Sequence, residues 1–198
     1  MKRNIIFFDV DTQHDFISKN GRLYVKGAEK IVNNLKRLTN FARNNRIPIF
    51  ASVDKHVKDD PEFKIFPVHC VAGTLGEKKI RQTLLKGAIT VSSKKYERNK
   101  LTAILKRAKQ IIIEKNTYDV FSNPNLKTLL KDVKIAYVYG VATDYCVKFA
   151  CLGLRKLGIK TNLIIDAIKA VSPRCGNETL KLLKSSGVVF KKVSGLEL

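Results

Sequence analysis

The chain has 198 residues, 44% of them hydrophobic, which is long enough to bury a core without staples and too apolar for intrinsic disorder. Its 38 lysines and arginines against 17 acidic residues leave a formal charge of +21, a balance that suits a nucleic-acid or acidic-membrane partner. Apolar runs such as Ile5-Ile6-Phe7-Phe8 and Ile111-Ile112-Ile113 fall far short of the roughly 20 residues of a membrane span, so no membrane partner is expected. Met1-Lys2-Arg3 imitates the start of a signal peptide, but Asp9 and Asp11 cut the apolar stretch short. The expectation is therefore a cytoplasmic protein whose four cysteines (Cys70, Cys146, Cys151 and Cys175) are thiols. There is no C-x-x-C pair, which excludes a zinc ribbon or a thioredoxin-type site.

Residues 4–10 read as a buried strand at the amino terminus. Ile31, Leu35, Leu38 and Ala42 recur at spacings of three and four, predicting an amphipathic helix over 28–42. A strand over 47–53 follows, and then an irregular stretch, 54–76, that contains Pro61, Pro67, Gly73 and Gly76. Loops of that length inside a compact domain are usually functional. Residues 87–93 read as a strand or a hairpin arm, 101–108 as a lysine-rich helix, and 110–115 as a core strand. A helix over 124–131, capped by Ser122 or Asn123, leads to a strand over 135–140. A helix over 143–157 ends at Gly158 and precedes a strand over 161–165. A last helix over 178–185, capped by Asn177, and a strand over 188–190 complete the chain. This alternation predicts an α/β fold of three layers, α/β/α, around a mainly parallel six-stranded sheet. With no linker, repeat or low-complexity tract, residues 1–198 are expected to form one domain.

Open parallel sheets bind ligands past the carboxyl ends of their strands. Asp11 follows the first strand, Asp54 and His56 follow the second, Lys115 closes the third core strand, and Cys146 lies just beyond the fourth. An acid, a lysine and a cysteine at strand ends compose a candidate nucleophilic site. Cys146 falls in the first turn of its predicted helix, where the helix terminus and a nearby cation lower a thiol's pKa and free N–H groups offer an oxyanion hole. Taken singly, each residue also has a plainer reading. Cys146, like the other cysteines, can be a small buried apolar residue, Lys115 one solvated lysine among many, and Asp11 a turn carboxylate.

Asp54 and His56, two apart on an extended segment, point to the same side. With His69 and the intervening Glu62 they form a nitrogen and oxygen donor set suited to zinc, iron or manganese. The alternative is a pair of surface histidines.

In this order the elements resemble the isochorismatase-like cysteine hydrolases, and among them the nicotinamidases. Asp11-Thr12-Gln13-His14-Asp15-Phe16 resembles the family's opening D-x-Q-x-D-F. Asp54-Lys55-His56, followed by Pro67-Val68-His69-Cys70-Val71-Ala72-Gly73-Thr74, resembles its metal loop. Lys115 stands after a strand, as the family's lysine does, and Gly140-Val141-Ala142-Thr143-Asp144-Tyr145-Cys146-Val147 is very similar to its nucleophile turn. The resemblance spans residues 4–190. It implies Asp11, Lys115 and Cys146 as a catalytic triad and the amides of Ala142 and Cys146 as an oxyanion hole, set by a cis peptide before Ala142. It implies a divalent metal, zinc first and iron or manganese otherwise, on Asp54, His56 and His69. Glu62 is the nearest fourth ligand, with Asp59 and Asp60 as rivals. It places Phe16 and Phe66 beside a pyridine ring; Tyr118 and Tyr145 are taken with them as pocket residues. The activity it implies is hydrolysis of nicotinamide to nicotinate and ammonia through a thioester, feeding NAD salvage, in a chain that can form a homo-oligomer.

Asn116-Thr117-Tyr118-Asp119-Val120-Phe121 departs from the Y-S-A-F or Y-S-G-F of many nicotinamidases. That departure leaves another small amide, ureido or N-carbamoyl compound as the alternative substrate. A non-catalytic nucleic-acid-binding protein is the third reading, for which the chain offers charge but neither an aromatic platform nor a recognition-helix pattern.

Overall fold

The computed structural model describes residues 4–196; the signal-like Met1-Lys2-Arg3 lies outside the described residues. Seven strands form one sheet: β1 (Ile5–Val10), β2 (Ile49–Asp54), β3 (Ile89–Val91), β4 (Gln110–Lys115), β5 (Ile135–Val141), β6 (Lys160–Lys169) and β7 (Val189–Lys191). Their order is β3-β4-β2-β1-β5-β6-β7, and every pairing is parallel. The expected six-stranded sheet is thus corrected to seven. Residues 89–91 are a parallel edge strand on β4 rather than a hairpin arm, too short to show a clear period in the sequence.

The strands are apolar on both faces because helices cover both, as parallel sheets require. Ile6, Phe8 and Val10 of β1 enter one core with Phe50, Ile111, Ile113, Val138 and Leu163, while Phe7 enters the other with Ile49, Tyr137 and Tyr139. Burying one such side chain contributes about 1.5–3 kcal/mol, so the two layers supply most of the driving force. The covering helices are α1 (His14–Ile17), α2 (Val32–Asn44), α3 (Arg98–Arg107), α4 (Leu126–Leu129), α5 (Lys148–Lys156) and α6 (Pro173–Ser185).

Several helix boundaries differ from the sequence reading for identifiable reasons. The helix expected from residue 28 begins as a 3₁₀ turn, Ala28–Ile31, because Gly27 enters in the left-handed region (φ 84°), and becomes α-helical as α2. α4 is a single turn; Asn123 Oδ1 accepts from the Asn125 N–H at 2.9 Å at its entry, while its amide nitrogen bridges the carbonyls of Ser92 and Glu114. α6 starts at Pro173, with Ser172 Oγ accepting from the Cys175 N–H at 3.3 Å, so Asn177 lies inside the helix. Proline at the first helical position is preorganised for a helix rather than a breaker. The expected helix over 143–157 opens with a π-helical turn, Thr143–Val147, before α5, and Tyr145 within it is non-helical (φ −125°, ψ −105°). The four-residue α1 was not anticipated from the sequence.

β1 is central, and the chain builds first toward β2 and then returns to β5 on β1's other side. The carboxyl ends of β1 and β5 therefore flank a topological switch point, the usual ligand crevice of such sheets. Close approach there depends on Gly140, whose φ is 118° and where a Cβ would lie 2.0 Å from the Val10 carbonyl oxygen. Gly140→Ala is expected to cost about 2 kcal/mol or more, read as a lowered urea midpoint with an unchanged slope.

Candidate active site

The parallel register of β2 and β4 sets Asp54 beside Lys115, each the last residue of its strand. Asp11, one residue beyond β1, is fully buried in the left-handed region (φ 47°). Its Oδ1 accepts from Ser52 Oγ at 2.6 Å and its Oδ2 lies 2.8 Å from Lys115 Nζ. The same ammonium pairs with Asp54 Oδ1 and stands 3.7 Å from Cys146 Sγ. One oxygen of Asp11, one of Asp54 and the Cys146 sulfur lie within 4.8 Å of one another. The sequence-predicted Asp11, Lys115 and Cys146 are therefore brought together.

Burial works against the Lys115 charge, yet Asp11 and Asp54 raise its pKa well above the ordinary lysine value. Cys146 departs from the sequence expectation. Burial pushes its thiol well above the ordinary range, Lys115 pulls it down, and Asp11 and Asp54 push it up again. Burial and the neighbouring acids thus oppose the thiolate that the helix terminus was expected to favour. The peptide between Val141 and Ala142 is cis, as the resemblance implied, and the Ala142 carbonyl accepts from the N–H groups of Tyr145 and Val147.

Asp54, His56 and His69 offer donor atoms within 4.8 Å of one another, all three residues buried. His56 Nδ1 and Nε2 are both buried without a hydrogen-bond partner among the described residues, Nδ1 lying 3.1 Å from Asp60 Oδ2. His69 Nδ1 meets the Pro67 carbonyl at 2.7 Å, which leaves Nε2 toward Asp54 Oδ2 at 4.0 Å. His69 is thus oriented through one nitrogen and offers the other, the usual arrangement behind metal ligands, while His56 keeps both buried ring nitrogens without hydrogen bonds. This set fits a divalent ion of the zinc, iron or manganese type. Glu62 lines the adjoining cavity, its carboxyl pushed up by burial, but lies outside the three-residue cluster. Asp60 is engaged with His56 and Asp59 is exposed.

Cys146, Asp54, His69 and the expected pocket aromatics meet in one cavity of about 110 Å³, whose lining does not include Asp11, Lys115 or His56. Phe16, Phe66, Tyr118 and Tyr145 all line it, together with Ala142, Cys146, Asp54 and His69. Phe66 stands edge-on to Tyr145 with centroids 5.8 Å apart. Leu23, Val25, Val141 and Val171 complete the wall and were not singled out from the sequence. Val171 is placed there by a tertiary contact that the sequence does not announce: Asp144 accepts from the N–H groups of Val171 at 2.9 Å and Ser172 at 3.0 Å. Ser52, the partner of Asp11, had no signal beyond its place in a strand.

The family model described as Isochorismatase domain matches residues 6–193. The chain belongs to the isochorismatase family. Its curated relatives include the nicotinamidase of Saccharomyces cerevisiae, 24% identical over 90% of this chain and 95% of that one. Another is the nicotinamidase of Escherichia coli, 26% identical over 82% of each. Among solved structures, the pyrazinamidase of Pyrococcus horikoshii in complex with zinc superposes with a TM-score of 0.80 at 25% identity, covering 96% of this chain and 99% of that one. Family and relatives agree with the resemblance drawn from the motifs and with the expected amide-hydrolase class.

Two outcomes are expected of this isochorismatase-family site. Lys115→Met leaves Asp11 and Asp54 buried and uncompensated, a loss of about 3–5 kcal/mol in denaturant unfolding. Burial pushes the Asp54 pKa up to about 7 against the pull of Lys115, with Asp11 adding to the rise. A ligand must be deprotonated, and burial holds His69 below its ordinary value. Zinc affinity measured by chelator competition is therefore expected to fall as pH drops through about 7, by about tenfold per unit below it.

Proposed function

We propose that this protein is a cysteine-dependent amidohydrolase over residues 1–198 that converts nicotinamide to nicotinate and ammonia in NAD salvage. The observation that carries the reading is the shared cavity: Cys146, with Lys115 and Asp11 behind it, opens into the same small aromatic-walled space as Asp54 and His69. The nicotinamidase relatives and the zinc-bound pyrazinamidase neighbour support it. The free state of all four cysteines agrees with a reducing cytoplasm. Among the described residues no helix is long and apolar enough to cross a membrane.

In this mechanism the aromatic walls hold a flat ring so that its carboxamide carbon faces Cys146 Sγ, which converts binding into orientation. Asp11 accepts the thiol proton while Lys115 stabilises the thiolate at 3.7 Å. The sulfur adds to the carboxamide carbon, and the N–H groups of Ala142 and Cys146 take the developing oxyanion. Asp11 returns its proton to the leaving ammonia, then deprotonates the water that hydrolyses the thioester. A metal ion held by Asp54, His56 and His69, with Glu62 the candidate fourth group, would supply a Lewis acid for a ring nitrogen or a water.

Of the alternative substrates (another small amide, ureido or N-carbamoyl compound), the N-carbamoyl and ureido amino acids carry a carboxylate. No lysine or arginine is among the described residues lining the cavity, whereas Asp54 and Glu62 are. A neutral heteroaromatic amide is favoured on that ground. Purified protein loaded with zinc is expected to release ammonia from nicotinamide and not from N-carbamoyl amino acids. Cys146→Ala is expected to lose roughly 10⁴-fold or more in kcat/KM. Full activity in that variant overturns the cysteine mechanism, and a preference for the carboxylate-bearing substrates overturns the substrate assignment.

A further inference from the structure

Behind β1 lies a second buried ion pair that the mechanism does not use. Lys79 Nζ stands 2.9 Å from Asp9 Oδ2 and donates to Thr12 Oγ1 at 2.7 Å. Thr12 Oγ1 also reaches Asp9 Oδ2 at 3.2 Å and Thr83 Oγ1 at 2.8 Å. Asp9 is 0% exposed and Lys79 7%. By the two-residue alternation of a strand, Asp9 shares the face of Phe7, in the layer built from Tyr137, Tyr139 and α2. An ion pair in such a place gains little stability over two apolar side chains, since desolvation offsets the attraction. Its contribution is geometric.

Lys79 belongs to the segment that returns from the metal loop. That segment runs antiparallel to residues 12–15: Ile80 N–H donates to the Thr12 carbonyl at 2.9 Å, His14 N–H to that of Lys78 at 2.9 Å, and Asp15 N–H to that of Gly76 at 3.2 Å. Lys79 lies opposite Gln13. The fully buried Gln13 side chain accepts from the Asp54 N–H at 2.7 Å and donates to the carbonyls of Asp54 and Glu77, both at 2.7 Å. Asp15 Oδ2 accepts from the N–H of Cys70, the residue after His69, at 2.7 Å. Residues 9–15 thereby grip the far end of the loop that carries His56 and His69, and hold the backbone of Asp54 through Gln13.

We propose that Lys79 is a positioning residue for the Asp54–His56–His69 cluster: its ion pair with Asp9 pins the returning segment against Gln13, and Gln13 in turn fixes Asp54. The inference rests on the reading of that trio as a metal site. Without the pin, the Glu77 carbonyl moves off Gln13 and Asp54 loses its fixed place between Lys115 and His69.

The test is the Asp9→Val/Lys79→Met double variant of the full chain, which removes both charges while keeping apolar volume. It is expected to unfold at a denaturant midpoint close to that of the unaltered protein and to bind zinc about tenfold more weakly in chelator competition. Its nicotinamide hydrolysis is expected to be low at limiting zinc and to recover at saturating zinc, a rescue that a purely structural role would not produce. Unchanged zinc affinity in the folded variant overturns the proposal. Should that variant fail to fold, Asp9→Asn/Lys79→Gln keeps shape and hydrogen bonding without charge and takes the same measurement. Failure of both to fold overturns the proposal by making the pair a determinant of folding. An unaltered protein that binds zinc but hydrolyses no amide refutes the proposed function while the zinc comparison between variants still decides the role of Lys79. An unaltered protein that binds no zinc overturns both.

Discussion

A single ammonium group organises the site. Lys115 Nζ is buried at the end of β4, and its surroundings are three side chains: the acids Asp11 and Asp54, which pair with its charge, and the Cys146 sulfur 3.7 Å away. Each of those three comes from a different crossover of the chain, and each is drawn toward the same point by the cost of leaving a charge unpaired in a low-dielectric interior. The strand order serves this arrangement. Only with β1 between β2 and β5, and β4 beside β2, do the carboxyl ends of all four converge on one nitrogen.

Asp54 joins the Lys115–Cys146 group to the two histidines. One of its oxygens neutralises Lys115 and the other faces His69, so the carboxylate that compensates the buried lysine also belongs to the donor set. This dual engagement explains why its backbone is held so closely, with both its N–H and its carbonyl taken up by Gln13. A residue serving two partners tolerates little displacement. The imidazoles need less: each is set by one contact to a carboxylate or carbonyl on its own loop.

The large positive charge is excluded from this centre. Of 38 basic side chains, one is shared within the triad, and among the described residues none lines the cavity. The surface can attract anions without offering them a place in the pocket, where Asp54 and Glu62 repel them. The excess of positive charge is thus not reproduced among the described residues that line the cavity.

Much of this was legible in the residues themselves. Local patterns need only the neighbouring chain, which is why the strands, the long loop, the Asp11, Lys115 and Cys146 positions and the Asp54–His56–His69 set could be read from spacing and motif. Helix starts were less legible: α6 begins at Pro173 under the Ser172 cap, ahead of the expected start at 178, and Gly27 and Tyr145 impose turns that no period announces. β3 reads as either a strand or a hairpin arm because its three residues carry too little pattern. Tertiary structure alone decided the rest. It sets the pKa direction of Cys146, since burial and two acids outweigh the helix terminus, and it gives Ser52 to Asp11 and Asp60 to His56. It also pairs Lys79 with Asp9 across 70 residues of chain. The composition could count 38 cations, but it could not say which two are buried against acids, because solvation depends on what the fold packs around a side chain.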